Sequence, residues 1–128
     1  MFSFLKLCAI AMIVAFPLFI WIGFEQGNTP PEKIISQPKT ADEFLNRGSL
    51  YEKNGNYENA LRDYTQAVAL RPDDERGYVR QGLALEGLNR PQDALQKYQK
   101  AKEIAQAQGD RNEVQTVDLL IQQLNQRK

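Results

Sequence analysis

The stretch GNYENALRDYTQAVALRP, from Gly55 to Pro72, decides the fold, because its pattern returns as NRPQDALQKYQKAKEIAQ, from Asn89 to Gln106. Five residues recur with a constant offset of 34 positions: Ala60, Leu61, Tyr64, Ala67 and Leu70 return as Ala94, Leu95, Tyr98, Ala101 and Ile104. A chain that repeats small and aromatic residues at one fixed interval stacks one structural unit on another. The sequence therefore predicts a repeat architecture and not two unrelated hairpins.

The signals for helix ends in the first copy predict two helices joined by a tight turn. Thr40 and Glu43 have the spacing of a capping box, in which each side chain binds the backbone of the other residue. The pair Asn54-Gly55 closes that helix, because glycine readily adopts the left-handed conformation that follows a helix C-terminus. A second helix is expected from about Tyr57 to Arg71, since Pro72 disfavours helical geometry at the residue before it.

The second copy repeats these signals, and both copies contain a glycine inside a helix. Asn89 takes the place of Gly55 in the turn, and Pro91 lies near the first position of the next helix, where proline is common. Gly48 and Gly82 are again 34 residues apart and fall in helix interiors, where each costs up to about 1 kcal/mol relative to alanine. We expect the backbone of a neighbouring helix to come close at both glycines, with tyrosines filling the wider spaces.

This unit resembles the tetratricopeptide repeat (TPR), a helix-turn-helix of 34 residues. Repeat one spans residues 41–74 and repeat two spans residues 75–108, so the resemblance covers 68 of 128 residues. The residues that carry it are Phe44, Gly48, Tyr51, Ala60, Tyr64, Ala67 and Pro72 in repeat one, and Tyr78, Gly82, Leu85, Ala94, Tyr98 and Ala101 in repeat two. The chain departs from the family pattern at Gln106, which replaces a proline, and at Arg47 and Gln81, which replace a large aliphatic residue.

The last segment, residues 109–128, predicts one further helix. It follows a Gly109-Asp110 turn, and its apolar face consists of Val114, Val117, Leu120, Ile121 and Leu124. We interpret it as a C-terminal capping helix that covers the exposed face of the second repeat while its polar side meets water. A partner-binding helix is the alternative interpretation.

The first 24 residues, MFSFLKLCAIAMIVAFPLFIWIGF, form a membrane-type segment. Lys6 is their one charged side chain, and the apolar run from Leu7 to Phe24 is 18 residues long. A helix of that length extends roughly 27 Å, close to the hydrocarbon core of a bilayer. We interpret residues 1–24 as an uncleaved transmembrane signal anchor, because the exit sequence FIWIGFEQG offers poor cleavage sites. A cleaved signal peptide, and with it a secreted or periplasmic module, is the alternative.

Residues 25–40 contain three prolines and predict a flexible linker that holds the repeats away from the membrane. The positive charges of Lys6 and the amino terminus precede the apolar run, whereas Glu25 follows it. The positive-inside tendency therefore places the N-terminus in the cytoplasm and the repeats on the non-cytoplasmic side of a single-pass protein.

The composition argues against catalysis. The chain has no histidine, and its single cysteine, Cys8, lies in the apolar N-terminal segment. These counts exclude disulfides within one chain, histidine-based acid–base chemistry and most zinc sites. No Gly-rich phosphate loop is present. Lysine plus arginine equals aspartate plus glutamate, at 16 each, which does not indicate a nucleic-acid-binding protein. We predict no enzyme, no catalytic residue, no metal site and no cofactor.

The resemblance implies a protein or peptide partner. In the TPR family, the first helix of each repeat lines a concave groove. In this register the groove positions would include Asp42, Leu45, Ser49 and Glu52 from repeat one, and Arg76, Val79, Arg80 and Leu83 from repeat two. The lysine, asparagine and arginine clamp by which some chaperone-binding members hold a C-terminal carboxylate is absent, because Leu45 and Ser49 occupy its first-repeat positions and a third repeat is missing.

The sequence as a whole predicts a membrane-anchored TPR adaptor or scaffold that assists the assembly of a complex. Its partner-binding groove would be formed by Leu45, Ser49, Arg76, Val79, Arg80 and Leu83. A self-associating structural subunit, in which a second copy completes the short repeat array, stays open as an alternative.

Overall fold

The computed structural model describes residues 36–127, which form helices and connecting turns without a strand. The helices of this part of the chain are α1 (Ala41–Lys53), α2 (Tyr57–Leu70), α3 (Glu75–Gly87), α4 (Pro91–Gln108) and α5 (Arg111–Gln126). The predicted all-α class and order of helices are confirmed here. The predicted anchor and residues 25–35 of the predicted linker lie outside the described residues. From residue 36 to 127, no helix combines the length and the apolar character needed to cross a bilayer.

The predicted helix boundaries follow from local backbone chemistry. The Thr40 hydroxyl accepts a hydrogen bond from the Glu43 backbone N–H at 3.2 Å, and the Glu43 carboxylate accepts one from the Thr40 N–H at 3.3 Å. This capping box starts α1. Gly55 (φ 73°), Asn89 (φ 58°) and Gly109 (φ 75°) adopt the left-handed conformation after α1, α3 and α4. Asn89 thus does in the second repeat what Gly55 does in the first.

Each helix packs against its neighbours in sequence, and α1 also contacts α3. The first helices of the two repeats therefore lie side by side. A small buried cluster joins α2 and α3 through Ala60, Tyr64 and Ala84. A larger one joins α3, α4 and α5 through Leu85, Ala94, Tyr98, Ala101, Val117 and Leu124.

Four of the five residues of the predicted apolar face of α5 join this larger cluster, Val117 and Leu124 as members and Leu120 and Ile121 packed against it. Val117 is fully buried and Leu124 is buried, and both pack with residues of α3 and α4. Lys102 of α4 forms an ion pair with Asp118 of α5 at 2.6 Å, which adds a polar contact beside the apolar one. Because Val117 and Leu124 are used internally, a partner of α5 would have to bind other residues of that helix.

A tyrosine ring covers each of the two helix-interior glycines. A Cβ atom added at Gly48 would lie closer than 3.0 Å to ring carbons of Tyr64, and one added at Gly82 would clash in the same way with Tyr98. Both rings are fully buried. The expectation of a close backbone at these glycines is therefore wrong, because the space left by the missing side chain is filled by an aromatic ring of the second helix of the same repeat.

The hydroxyl of each buried tyrosine is also satisfied. Tyr64 donates a hydrogen bond to Glu52, and Tyr98 donates one to Glu86. Burial, together with these hydrogen bonds, raises the pKa of both phenols well above the ordinary value. Both tyrosines therefore stay protonated and act as donors at any physiological pH.

Arg47 and Gln81, which replace the usual aliphatic residue of the family, are both tied to the second helix of repeat one. The Arg47 guanidinium donates from Nε and Nη2 to the two carboxylate oxygens of Asp63, each at 2.7 Å. Asp63 is buried, so this bidentate pair satisfies a charge that would otherwise be costly. Gln81 is buried as well, and its Nε2 donates to the Thr65 hydroxyl at 3.0 Å.

Replacement of Gly82 by alanine tests the tyrosine–glycine contact. Alanine is the better helix former by about 1 kcal/mol. We nevertheless expect Gly82→Ala to lower the free energy of unfolding by about 1–3 kcal/mol, because the new methyl group overlaps the buried ring of Tyr98. Urea denaturation followed by circular dichroism measures this change.

A double-mutant cycle supplies the control. In a Tyr98→Leu background the ring is gone, so adding Gly82→Ala should cost less than it does in the parent. An equal cost in both backgrounds, or a gain in stability of the parent, would contradict a clash with Tyr98.

Candidate partner-binding groove

A groove with a volume of about 470 Å³ is lined by residues of α1, α3 and α5. Its lining consists of Leu45, Asn46 and Ser49 from α1, Arg76, Val79, Arg80 and Leu83 from α3, and Glu113, Thr116 and Leu120 from α5. The structure thus brings together all six residues that the sequence predicted for a partner site. It adds a wall from α5 that was not predicted, because the repeat register was carried only as far as residue 108.

The core of the domain holds the apolar floor of the groove in place. Val79, Leu83 and Leu120 are partly buried and pack against the larger core cluster. Leu45 packs in the same way against the smaller cluster. One side of each residue is therefore fixed by internal packing, and the other side faces the groove. Such a floor is formed in advance and does not require a partner to order it.

Arg76 is held by two aspartates. It donates from Nε to Asp74 at 2.9 Å and from Nη2 to the other Asp74 oxygen at 2.6 Å, with Asp42 at 3.3 Å. Asp74 is also the N-cap of α3 and accepts from the Arg76 backbone N–H. The hydrogen bonds from Arg76 lower the pKa of Asp74 despite its partial burial. The Arg76 side chain is thereby bound to the N-cap residue of its own helix.

Arg80 is held much more loosely, although it lies one turn further along the same helix. Its nearest carboxylate oxygen in the described residues belongs to Glu52, at 3.9 Å. That oxygen already accepts the hydrogen bond from Tyr64. The Arg80 side chain is 45% exposed and donates no hydrogen bond within residues 36–127. Of the two groove arginines, Arg80 is the one whose charge no carboxylate of residues 36–127 balances at hydrogen-bond distance.

Two other positions expected in the groove do not line it. Asp42 forms ion pairs with Arg71 and Arg76, and the hydrogen bond from Arg71 is the main cause of its lowered pKa. Glu52 accepts from Tyr64 and lies near Arg80. Asp42 therefore holds Arg71 and Arg76, whereas Glu52 is engaged mainly by Tyr64.

Glu113 is the acidic residue of the α5 wall. Burial raises its pKa, and repulsion from Glu75 and Asp110 adds to the shift. Within residues 36–127 it forms no ion pair. Helical spacing could have revealed this wall, because Glu113, Thr116 and Leu120 are three and four residues apart and share one face of α5.

The groove therefore offers apolar contact, two cations of unequal availability and one carboxylate. Residues 36–127 contain no cluster of three cysteine, histidine or acidic side chains placed to bind a metal ion. The arrangement is suited to reversible binding of an amphipathic segment, which needs a floor for apolar side chains and polar groups at its rim.

Comparison with known proteins relates the chain to one repeat family. A family model described as tetratricopeptide repeat matches residues 45–110. Small glutamine-rich tetratricopeptide repeat-containing protein 2 of Saccharomyces cerevisiae is 31% identical over 77 residues, which are 60% of this chain and 22% of that protein. A TPR repeat-containing protein of Picosynechococcus is 30% identical over 84 residues, which are 66% of this chain and 22% of that protein. The chain thus spans about a fifth of the length of these two relatives.

A solved structure supports the same fold. The crystal structure of PcrH from Pseudomonas aeruginosa matches with a TM-score of 0.63 and covers 70% of this chain and 68% of that one. The sequence identity is 19%, so the match concerns the arrangement of helices.

Carboxyl titration distinguishes the two groove arginines. In Arg76→Gln we expect the pKa of Asp74 to rise towards its ordinary value, because the hydrogen bonds that favour the charged form are lost. In Arg80→Gln the pKa of Asp74 should stay at the parental value. Carboxyl-carbon NMR as a function of pH measures both, and an equal response of Asp74 to the two substitutions would refute the assignment.

The hydrogen bonds between Arg76 and Asp74 also make the stability of the fold depend on pH. Because the pKa of Asp74 is lower in the folded than in the unfolded chain, the Arg76 pair stabilises the fold above about pH 4. That contribution is lost as the pH falls through the folded pKa. The parent should consequently lose more stability on acidification in this range than Arg76→Gln does.

Proposed function

We propose a function from one premise: this chain belongs to the tetratricopeptide repeat family, whose family model matches residues 45–110. Repeats of this kind stack helix pairs into concave surfaces that bind other proteins. The chain is accordingly a protein-interaction module. The observation that carries the more specific proposal is the groove between α1, α3 and α5, into which the six residues predicted from the repeat register converge.

The partner is a peptide or helix with an apolar face. Leu45, Val79 and Leu83 present apolar surface that is already half-buried by the core. An apolar side chain of the partner would bury the rest of this surface. The entropy cost would be small, because the core already holds these residues in place. The space of about 470 Å³ suits a short segment and not a folded domain. With two repeats and one further helix contributing, the contact area is small and the binding is weak to moderate.

The segment before the repeats suggests where this binding takes place. The apolar run from Leu7 to Phe24 has the length and composition of a transmembrane helix. We place the repeats on the non-cytoplasmic side, joined to the anchor by the proline-containing linker. The protein would then act as a membrane-bound, non-catalytic adaptor or scaffold that holds its partner near the bilayer during assembly of a complex.

Filling the groove with a large side chain tests this function. Asn46 and Thr116 are exposed and line opposite walls of the groove. We expect Asn46→Trp and Thr116→Trp to abolish capture of the partner from detergent-solubilised native membranes, because the indole occupies the space of the ligand. Capture by the full chain followed by quantitative mass spectrometry measures the loss.

Gln122→Trp is the matched control, since Gln122 is exposed on α5 but does not line the groove. It should capture the same partners as the parent. Exposed substitutions of this kind change stability by about 0.5 kcal/mol or less, so all three variants should fold. Retention of every partner by both groove variants would refute the groove as the binding site.

Extraction of native membranes tests the anchor. We expect the full chain to stay with the membrane after carbonate and high-salt washing, because insertion of a transmembrane helix is effectively irreversible. A variant that begins at Glu25 should appear in the soluble fraction. An N-terminal sequence of the native protein that begins near Glu25 would contradict the anchor and favour a cleaved, secreted module.

A further inference from the structure

The charged side chains that line the groove are basic on α3 and acidic on α5. Arg80 on α3 is the cation whose guanidinium donates no hydrogen bond within residues 36–127. Asn46 and Ser49 line the same groove from α1, and their side chains also make no hydrogen bond in this part of the chain. Three groups on this side can therefore donate hydrogen bonds to an incoming carboxylate without breaking an existing one.

Arg76 offers that carboxylate a weaker electrostatic attraction than Arg80 does. Its guanidinium already holds Asp74 through two short hydrogen bonds and contacts Asp42 as well. An anion at Arg76 would meet a cation whose charge Asp74 and Asp42 already balance at hydrogen-bond distance. An anion at Arg80 has only a contact of 3.9 Å to Glu52 to displace. Charge-assisted hydrogen bonds at about 2.7–2.9 Å are much stronger than a contact at that distance.

The α5 wall carries the opposite charge. Glu113 lines the groove and lies near Glu75 and Asp110, with no lysine or arginine of residues 36–127 paired to it. The repulsion within this acidic group and the partial burial of Glu113 would both be relieved by a basic group of the ligand. A second carboxylate at this wall would increase the repulsion.

We propose that the groove selects a peptide by the order of its charges. An acidic side chain binds Arg80 with help from Asn46 and Ser49, apolar side chains cover Leu83 and Leu120, and a basic side chain binds Glu113. This inference rests on the proposed function, and it adds the chemical class and the orientation of the ligand: an amphipathic peptide with one acidic and one basic end. The same peptide with its two charges exchanged binds more weakly, because it makes like-charge contacts at both walls.

Selection from a random peptide library tests the proposal. The probe is a displayed library of 12-residue peptides, and the full chain in detergent micelles is the target. The parent should enrich peptides that carry an acidic and a basic residue on opposite sides of an apolar stretch. Arg80→Glu should exchange the acidic residue for lysine or arginine, and Glu113→Lys should exchange the basic residue for aspartate or glutamate. Arg62→Glu is the matched control, since Arg62 is exposed on α2 and does not line the groove, and it should select the parental pattern.

Synthetic peptides give the size of the effect. A parental peptide and its charge-exchanged counterpart have the same composition, and their affinities can be compared by fluorescence anisotropy. We expect the parent to prefer the selected order by about five-fold, which corresponds to roughly 1 kcal/mol for a partly exposed pair. The variant that combines Arg80→Glu and Glu113→Lys should prefer the exchanged peptide.

The possible results separate this inference from the proposed function. If peptides are selected and compete with one another for the groove, but Arg80→Glu and Glu113→Lys leave the charge preference unchanged, the inference is overturned and groove binding stands. If the selected peptides bind Asn46→Trp and Thr116→Trp as well as the parent, or if no peptide is enriched, the proposed function and the inference are both overturned. Reversal of the charge preference by the two variants supports both.

Discussion

Each repeat depends on the packing of a buried tyrosine ring against a glycine of the preceding helix. Tyr64 on Gly48 and Tyr98 on Gly82 are fully buried contacts between residues 16 positions apart. The absence of a side chain at the glycine lets the ring reach the helix surface, and the hydroxyl at the far edge of the ring finds a carboxylate on the same helix. One aromatic residue thereby satisfies packing and hydrogen bonding together, which a buried tyrosine requires.

This contact also decides which face of each first helix is left for a partner. Gly48 and Glu52 are four residues apart and both meet Tyr64, so they define the face of α1 that points towards α2. Leu45 and Ser49 are also four residues apart but are rotated to the neighbouring face, which lines the groove. The groove is thus formed by the faces of α1 and α3 that are not covered by Tyr64 of α2 and Tyr98 of α4.

Much of this could be predicted from the sequence, because the relevant signals are local or periodic. Thr40, Gly55, Asn89 and Pro91 each mark a helix end by their own backbone chemistry, and the 34-residue offset places the groove residues in register. The role of the glycines could not be predicted in this way, because their partners lie in another helix and the direction of a tyrosine ring is set by tertiary packing. The α5 wall was missed for a related reason: the register ends with the second repeat, whereas the groove continues to the next helix.

Arg76 and Arg80 differ in their surroundings although the helix that carries them is regular. Both arginines lie on one face of α3 and are equivalent by helical spacing. What separates them is the position of the carboxylates: Asp74 caps the helix two residues before Arg76, and Asp42 reaches the same guanidinium from α1. Glu52, the acidic residue nearest to Arg80, is already engaged by the tyrosine that holds the repeat together. Because Glu52 is held by Tyr64, Arg80 keeps no carboxylate of residues 36–127 at hydrogen-bond distance, and this is why we propose Arg80 as the site for a ligand carboxylate.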